Sequence, residues 1–114
     1  MRRRARLLAA AAALVATTAW GQPGEGLEIF TRPDKGNCVA CHEVPAGSGP
    51  AIRATVGPRL DGARLKAWDR TRLRALLADP MIANPDTVMP PYGRHRLLAP
   101  QEIERLIDYL HALP

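Results

Sequence analysis

The stretch "GNCVACHE", residues Gly36 to Glu43, holds the only two cysteines of a 114-residue chain, Cys38 and Cys41, with His42 directly after the second. Two intervening residues and a following histidine are the spacing of covalent haem attachment. Two thiols one helical turn apart can each add to a vinyl group of one porphyrin, and the adjacent imidazole then lies over the iron. Other readings of the cysteine pair fit less well. A zinc centre needs further thiols or paired histidines, whereas the remaining histidines, His95 and His111, stand far apart without ligand spacing. A thioredoxin-like dithiol site wants strands and a βαβ unit, and this chain reads as helices and loops. The sequence predicts one covalent haem c.

His42 fills one axial position of the iron, and the residue in the other decides between electron transfer and binding of small ligands. Met1 falls in the leader. Met81 follows Pro80 at the end of an apolar helical pattern, where packing explains it. Met89 sits in "NPDTVMPPYGRH", residues 84 to 95, 47 residues after His42 and outside any periodic apolar pattern. Pro90 and Pro91 fix their own φ near −65° and bias the residue before each toward extended backbone, so the loop can present one side chain stiffly. A thioether favours reduced iron, which suits electron transfer. Met89 is therefore the expected second ligand. His95, between Arg94 and Arg96, is expected on the exposed end of the loop, and His111 on the surface of the last helix.

The chain begins with Arg2, Arg3, Arg4 and Arg6, an apolar run from Leu7 to Val15, and then small residues. That order is a secretory signal peptide over residues 1–21, with cleavage after Ala19 or Gly21 and delivery to the periplasm. The apolar run falls short of the roughly 18 residues a membrane span requires, so no span is expected after cleavage. The leader also carries the excess charge. Of sixteen Lys and Arg, removing its four arginines leaves twelve against eleven Asp and Glu, a net +1 in place of +5. Nucleic acid is therefore not an expected partner. Residues 22–114 then form one small domain with a single Phe, one Trp and two Tyr, short of aromatic core and helped by a staple such as a covalent cofactor.

The rest reads as all-α. "GEGLEIFTRP" opens a short helix with Gly26 and Phe30 on one face. "DRTRLRALLADP" forms a middle helix capped by Asp69 or Thr71, with Leu73, Leu76 and Leu77 inward and Asp79-Pro80 ending it. Its arginines 70, 72 and 74 read as a solvated face, or less readily as a docking patch. "APQEIERLIDYLHALP" is an amphipathic helix started by Pro100, with Ile103, Leu106, Ile107 and Leu110 inward and a solvated polar face. "VPAGSGPAIRATVGPRLDG" reads as loop.

Four pieces in this order resemble the class I c-type cytochromes: Gly26 with Phe30, "CVACH", "GPRLDG", and the terminal helix with Leu106 and Tyr109. The resemblance implies a small helical domain around one haem, with the first and last helices crossing at the glycine and the Pro58 backbone carbonyl accepting from the second nitrogen of His42. "KGNCVACHEVP", "GPRL", "NPDTVMPPYGRH" and "LAPQEIERLIDYL" together resemble, more narrowly, the SoxX family of sulfur oxidation. That likeness implies a subunit paired with a SoxA-like cytochrome in an L-cysteine S-thiosulfotransferase. Such a pair couples thiosulfate oxidatively to a carrier cysteine on SoxYZ, and this subunit passes the electrons to a downstream acceptor. The chain has no spare cysteine for sulfur and no acid/base pair at catalytic spacing, so sulfur chemistry is expected on the partner. A free-standing electron carrier is the alternative. Docking is expected at the haem edge, with Pro90, Pro91 and Tyr92 as its apolar centre, Tyr92 also bordering the haem, and Arg94 and Arg96 as a cationic rim.

Overall fold

Helix α1 (Glu25–Thr31) starts after Gly24, whose φ of 89° is cheap only for glycine, and buries Gly26, Ile29 and Phe30. The computed structural model describes Ala13 and residues 24–114, so the expected leader, residues 1–21, lies apart from Ala13 outside the described residues. A four-residue helix, α2 (Gly62–Leu65), is capped by the Asp61 carboxylate accepting from the Arg64 amide. Helix α3 (Arg70–Ala78) is capped in the same way by Asp69. Helix α4 (Pro100–His111) has proline in its first turn, and the Glu102 carboxylate accepts from the Ala99 amide at 2.8 Å. Single 3₁₀ turns occupy Cys38–Ala40 and Pro80–Ile82. No strand occurs among the described residues, in agreement with the all-α expectation.

The core lies where α1 and α3 pack on α4. Phe30, Leu106 and Ile107 are fully enclosed, joined by Leu73, Leu77 and Leu110, whereas Leu76 is half-buried. Helices α1 and α4 approach closely because Gly26 has no side chain. A Cβ there would stand 2.4 Å from the Arg105 carbonyl oxygen and 2.5 Å from Tyr109 Cβ. Phe30 and Tyr109 stack beside that crossing, tilted by 55° with centroids 5.1 Å apart.

The charged faces are exposed, as expected, but they are also paired across helices, which the sequence did not show. Arg72 and Arg74 are exposed and Arg70 half-buried, yet Arg70 and Arg74 pair with Glu104 of α4 at 2.8 and 2.5 Å, and Arg70 also binds Asp108. Arg72 stacks over the Trp68 ring at 3.9 Å. The polar face of α4 is correspondingly engaged, since Lys35 meets Glu102 at 2.5 Å and Arg105 meets Glu25 at 3.2 Å. Hydrogen bonds from Arg74, and next from Arg70, hold the Glu104 carboxylate down at about 2. Helices three turns long are marginal alone, and these ion pairs run between helices rather than along one.

Candidate haem site

The attachment segment folds as its spacing requires. Asn37 turns the chain with φ 47°, the 3₁₀ turn follows, and the amides of Cys41 and His42 both donate to the Cys38 carbonyl, at 3.1 and 2.9 Å. Cys38 is buried and Cys41 half-buried, and no disulfide joins them. Burial pushes the Cys38 thiol up to about 12, despite a hydrogen bond with Tyr92 that pulls the other way.

The loop after His42 is sewn to it from both sides. Gly57 N–H donates to the Cys41 carbonyl at 2.7 Å and Leu60 N–H to the Glu43 carbonyl at 2.9 Å, while Arg59 pairs with the Glu43 carboxylate at 2.7 Å. These bonds place the Pro58 carbonyl oxygen 2.7 Å from His42 Nδ1. Nδ1 therefore carries the proton toward Pro58 and leaves the Nε2 lone pair for a metal.

The methionine loop is pinned to the end of α3. The amides of Gly93 and Arg94 share the Ala78 carbonyl, at 3.1 and 2.9 Å. Gly93 fits against the Ala78 backbone, where a Cβ would come within 2.9 Å of its Cα. Met89 is half-buried against the core, its amide donating to Thr87 Oγ1 at 3.1 Å. Met81 is half-buried too, but lines neither cavity described next.

A cleft of about 540 Å³ is bordered by Cys38, Cys41, His42, Pro58, Met89 and Tyr92. Behind it an apolar cavity of about 240 Å³ reaches into the core, sharing Cys38, His42, Pro58 and Met89 with the cleft and adding Phe30, Leu73 and Leu106. The cleft alone falls in the usual size range for cofactor pockets, and the smaller cavity extends it with an almost wholly apolar lining. All six predicted site residues meet at them. Thiols, an oriented imidazole and a thioether around an apolar slot are the donor set that suits haem, and the residues fit the group. A larger groove of about 740 Å³ between Arg96 and the start of α4 contains none of them.

The docking expectation needs correction. Pro91 and Tyr92 are buried, and the Tyr92 hydroxyl turns inward to donate to the Gly36 carbonyl at 2.6 Å, so neither is the apolar centre of an exposed face. Pro90 is exposed at the cleft as expected, and beside it the exposed apolar side chains are Val88 (81%), Val56 (67%) and Leu97 (47%). Arg94 reaches Asp79 at 3.3 Å, and Arg94, His95 and Arg96 are all exposed as expected. His111 is also exposed, with Nε2 at 2.9 Å from the Trp68 carbonyl.

A helical domain around such a slot defines the class I cytochromes c, which bind haem c. The chain belongs to the family described as cytochrome c oxidase, cbb3-type, subunit III, which matches residues 21–110, and within this class it is SoxX-like. It is similar to a chain in the crystal structure of SoxXA from P. pantotrophus, with a TM-score of 0.68 and 30% identity over 84% of each chain. It is also 37% identical over 79 residues to an uncharacterized lipoprotein of Aquifex aeolicus (strain VF5). That match takes in 68% of this chain and 36% of the lipoprotein, so the chain spans about a third of that relative's length.

Proposed function

We propose that this is a periplasmic monohaem cytochrome serving as the SoxX-like electron-transfer subunit of a SoxXA-type complex in thiosulfate oxidation. The observation that carries the haem reading is the convergence of Cys38, Cys41, the Pro58-oriented His42 and Met89 on one largely apolar slot. Cys38 and Cys41 would hold one haem through thioethers, His42 Nε2 and Met89 Sδ would ligate its iron, and Tyr92 would border it. Bound there, the haem supplies one-electron redox chemistry. The protein's part is to hold both ligands in place through a change of charge: the loop 57–60 fixes the imidazole and the Ala78 anchor fixes the methionine loop, so little has to reorganise.

The SoxXA likeness supports a SoxA-like cytochrome as the partner. Joining the outer sulfur of thiosulfate to a SoxYZ cysteine thiolate releases two electrons, which a one-haem subunit passes to its downstream acceptor singly. No helix among the described residues is long and apolar enough to cross a membrane. The arginine-rich leader over 1–21 and the lipoprotein relative support export, with residues 22–114 as the working domain. Val88, Val56 and Leu97 form the apolar centre of the docking face, with Arg94 and Arg96 at its rim tuning the encounter rate. A cytochrome domain match that names no SoxA-like partner also fits a second reading, a free-standing periplasmic electron carrier.

The test is affinity purification of the mature protein from its native periplasm, with intact mass spectrometry of every component. A mass one haem above the bare polypeptide and a co-purifying c-type cytochrome are expected. A bare polypeptide from cells competent in cytochrome maturation refutes the haem assignment, and a haem protein that purifies alone favours the free carrier.

A further inference from the structure

Gly57 lies flat against the proximal imidazole. A Cβ built on it would stand 2.4 Å from His42 Cε1, 2.7 Å from Nδ1 and 2.8 Å from Nε2, closer than any real Cβ contact. The three nearest atoms all belong to the ring. Nor does Gly57 occupy a left-handed conformation, unlike Gly24 and Gly47, so its backbone accepts an L-residue and only the space forbids one. Its amide is tied to Cys41 at 2.7 Å and the next carbonyl, that of Pro58, receives the imidazole proton, also at 2.7 Å. The ring is thus bonded at its edge by Pro58 and pressed on its face by Gly57.

We infer that Gly57 is a positioning residue that sets the rotation of the His42 ring about its bond to the iron and, through it, the strength of the Nδ1–H to Pro58 bond. The inference rests on His42 being a ligand. A ring free on this face could turn away from Pro58, and the bond that keeps the ligand electron-rich would lengthen. A side chain at residue 57 forces such a turn, because the neighbour it strikes is a ring tied to Pro58 on a segment pinned by its own backbone bonds rather than the far end of a flexible side chain. Turning the ring would change its orientation toward a bound haem, and weakening the Nδ1–H bond would make Nε2 a poorer donor to ferric iron.

The experiment compares wild type, Gly57→Ala and Gly47→Ala as haem-loaded full chains. Gly47 has φ 83° and nothing within 4 Å of its Cβ position, so its alanine variant strains the backbone without touching the ring. Proton NMR of the ferric state reads the paramagnetically shifted haem methyl pattern, which reports ligand orientation, alongside the reduction potential and the melting temperature. Gly57→Ala should rearrange the methyl pattern and raise the potential, while Gly47→Ala lowers the melting temperature and leaves both iron signals at their wild-type values. A Gly57→Ala protein that melts lower but keeps the wild-type pattern and potential overturns the inference. Should that variant fail to fold, Pro58→Ala keeps the carbonyl but frees the segment; the inference then requires a changed methyl pattern there, and an unchanged one refutes it. A wild-type protein lacking an imidazole-ligated haem spectrum would instead refute the ligand assignment.

Discussion

Gly26→Ala sets two effects of opposite sign against each other at the crossing of α1 and α4. In an exposed helix interior, alanine would stabilise by about 1 kcal/mol over glycine. Here the added Cβ falls 2.4 Å from a helix carbonyl oxygen and 2.5 Å from Tyr109 Cβ, two atoms that cannot swing aside as a side-chain tip would. Relief requires parting the helices, which loosens the contact of Phe30 with Tyr109 and of both with Leu106. Overpacking of this kind costs about 1–3 kcal/mol, and with rigid neighbours the upper part of that range applies. The balance is a net loss of about 1–2 kcal/mol, or about 4–16 °C in Tm for a domain of this size. Thermal unfolding of the haem-loaded protein, followed by far-ultraviolet circular dichroism, measures it. A variant that melts at or above wild type would show that helix propensity decides this site and that the close crossing is wrong.

The ion cluster between α3 and α4 predicts a pH-dependent difference. Glu104 is lowered from its ordinary 4.5 to about 2, so its contribution is fully present above pH 4.5 and is lost as pH falls through 2. Because these side chains are a third to nearly half exposed, solvent screening limits the cost of Glu104→Gln at pH 7 to about 1 kcal/mol. Denaturant titrations should show that gap closing between pH 4.5 and 2. A gap that persists at pH 2 would mean that the carboxylate acts by packing rather than by charge. At the proposed docking face, Val88→Asp should weaken binding to the SoxA-like partner by about tenfold or more, roughly 1.4 kcal/mol, in calorimetric titration. The Tm should stay within about 2–4 °C of wild type, since surface substitutions change stability by about 0.5 kcal/mol. An unchanged affinity places the interface elsewhere.

Features written into short stretches of chain were legible in the sequence. Cys38, Cys41 and His42 are adjacent, the prolines around Met89 declare a stiff loop, and Gly26 with Phe30 lies one helical turn apart. The fit of Pro58 to His42 also came through, from the resemblance and from the need of a ligating imidazole for an acceptor. Features that depend on distant partners did not. Nothing near Arg70 or Arg74 points to Glu104, thirty or more residues later, so the two faces read as solvated when they pair with each other. Tyr92 in a proline loop looks like a surface aromatic, yet its hydroxyl finds the Gly36 carbonyl 56 residues earlier and draws the ring inward. With Tyr92 and Pro91 inside, Pro90 is joined at the exposed apolar face by Val56, Val88 and Leu97, which no periodicity singles out. Helix α2 is too short to show a repeat, and its sole sequence signal is Asp61 three residues before the Arg64 amide it caps. The crowding of Gly57 on the His42 ring becomes visible only when the loop is folded back.

The central claim is that the slot holds a haem between His42 and Met89, and the ferric far-red absorption of a sulfur-ligated haem tests it most directly. Met89 borders both the cleft and the inner cavity, whereas Met81 borders neither. The band should therefore be present in the wild type and in Met81→Ala and absent from Met89→Ala, whose reduction potential should also fall as water or a nitrogen ligand replaces the thioether. A band that survives in Met89→Ala and disappears in Met81→Ala would contradict the account.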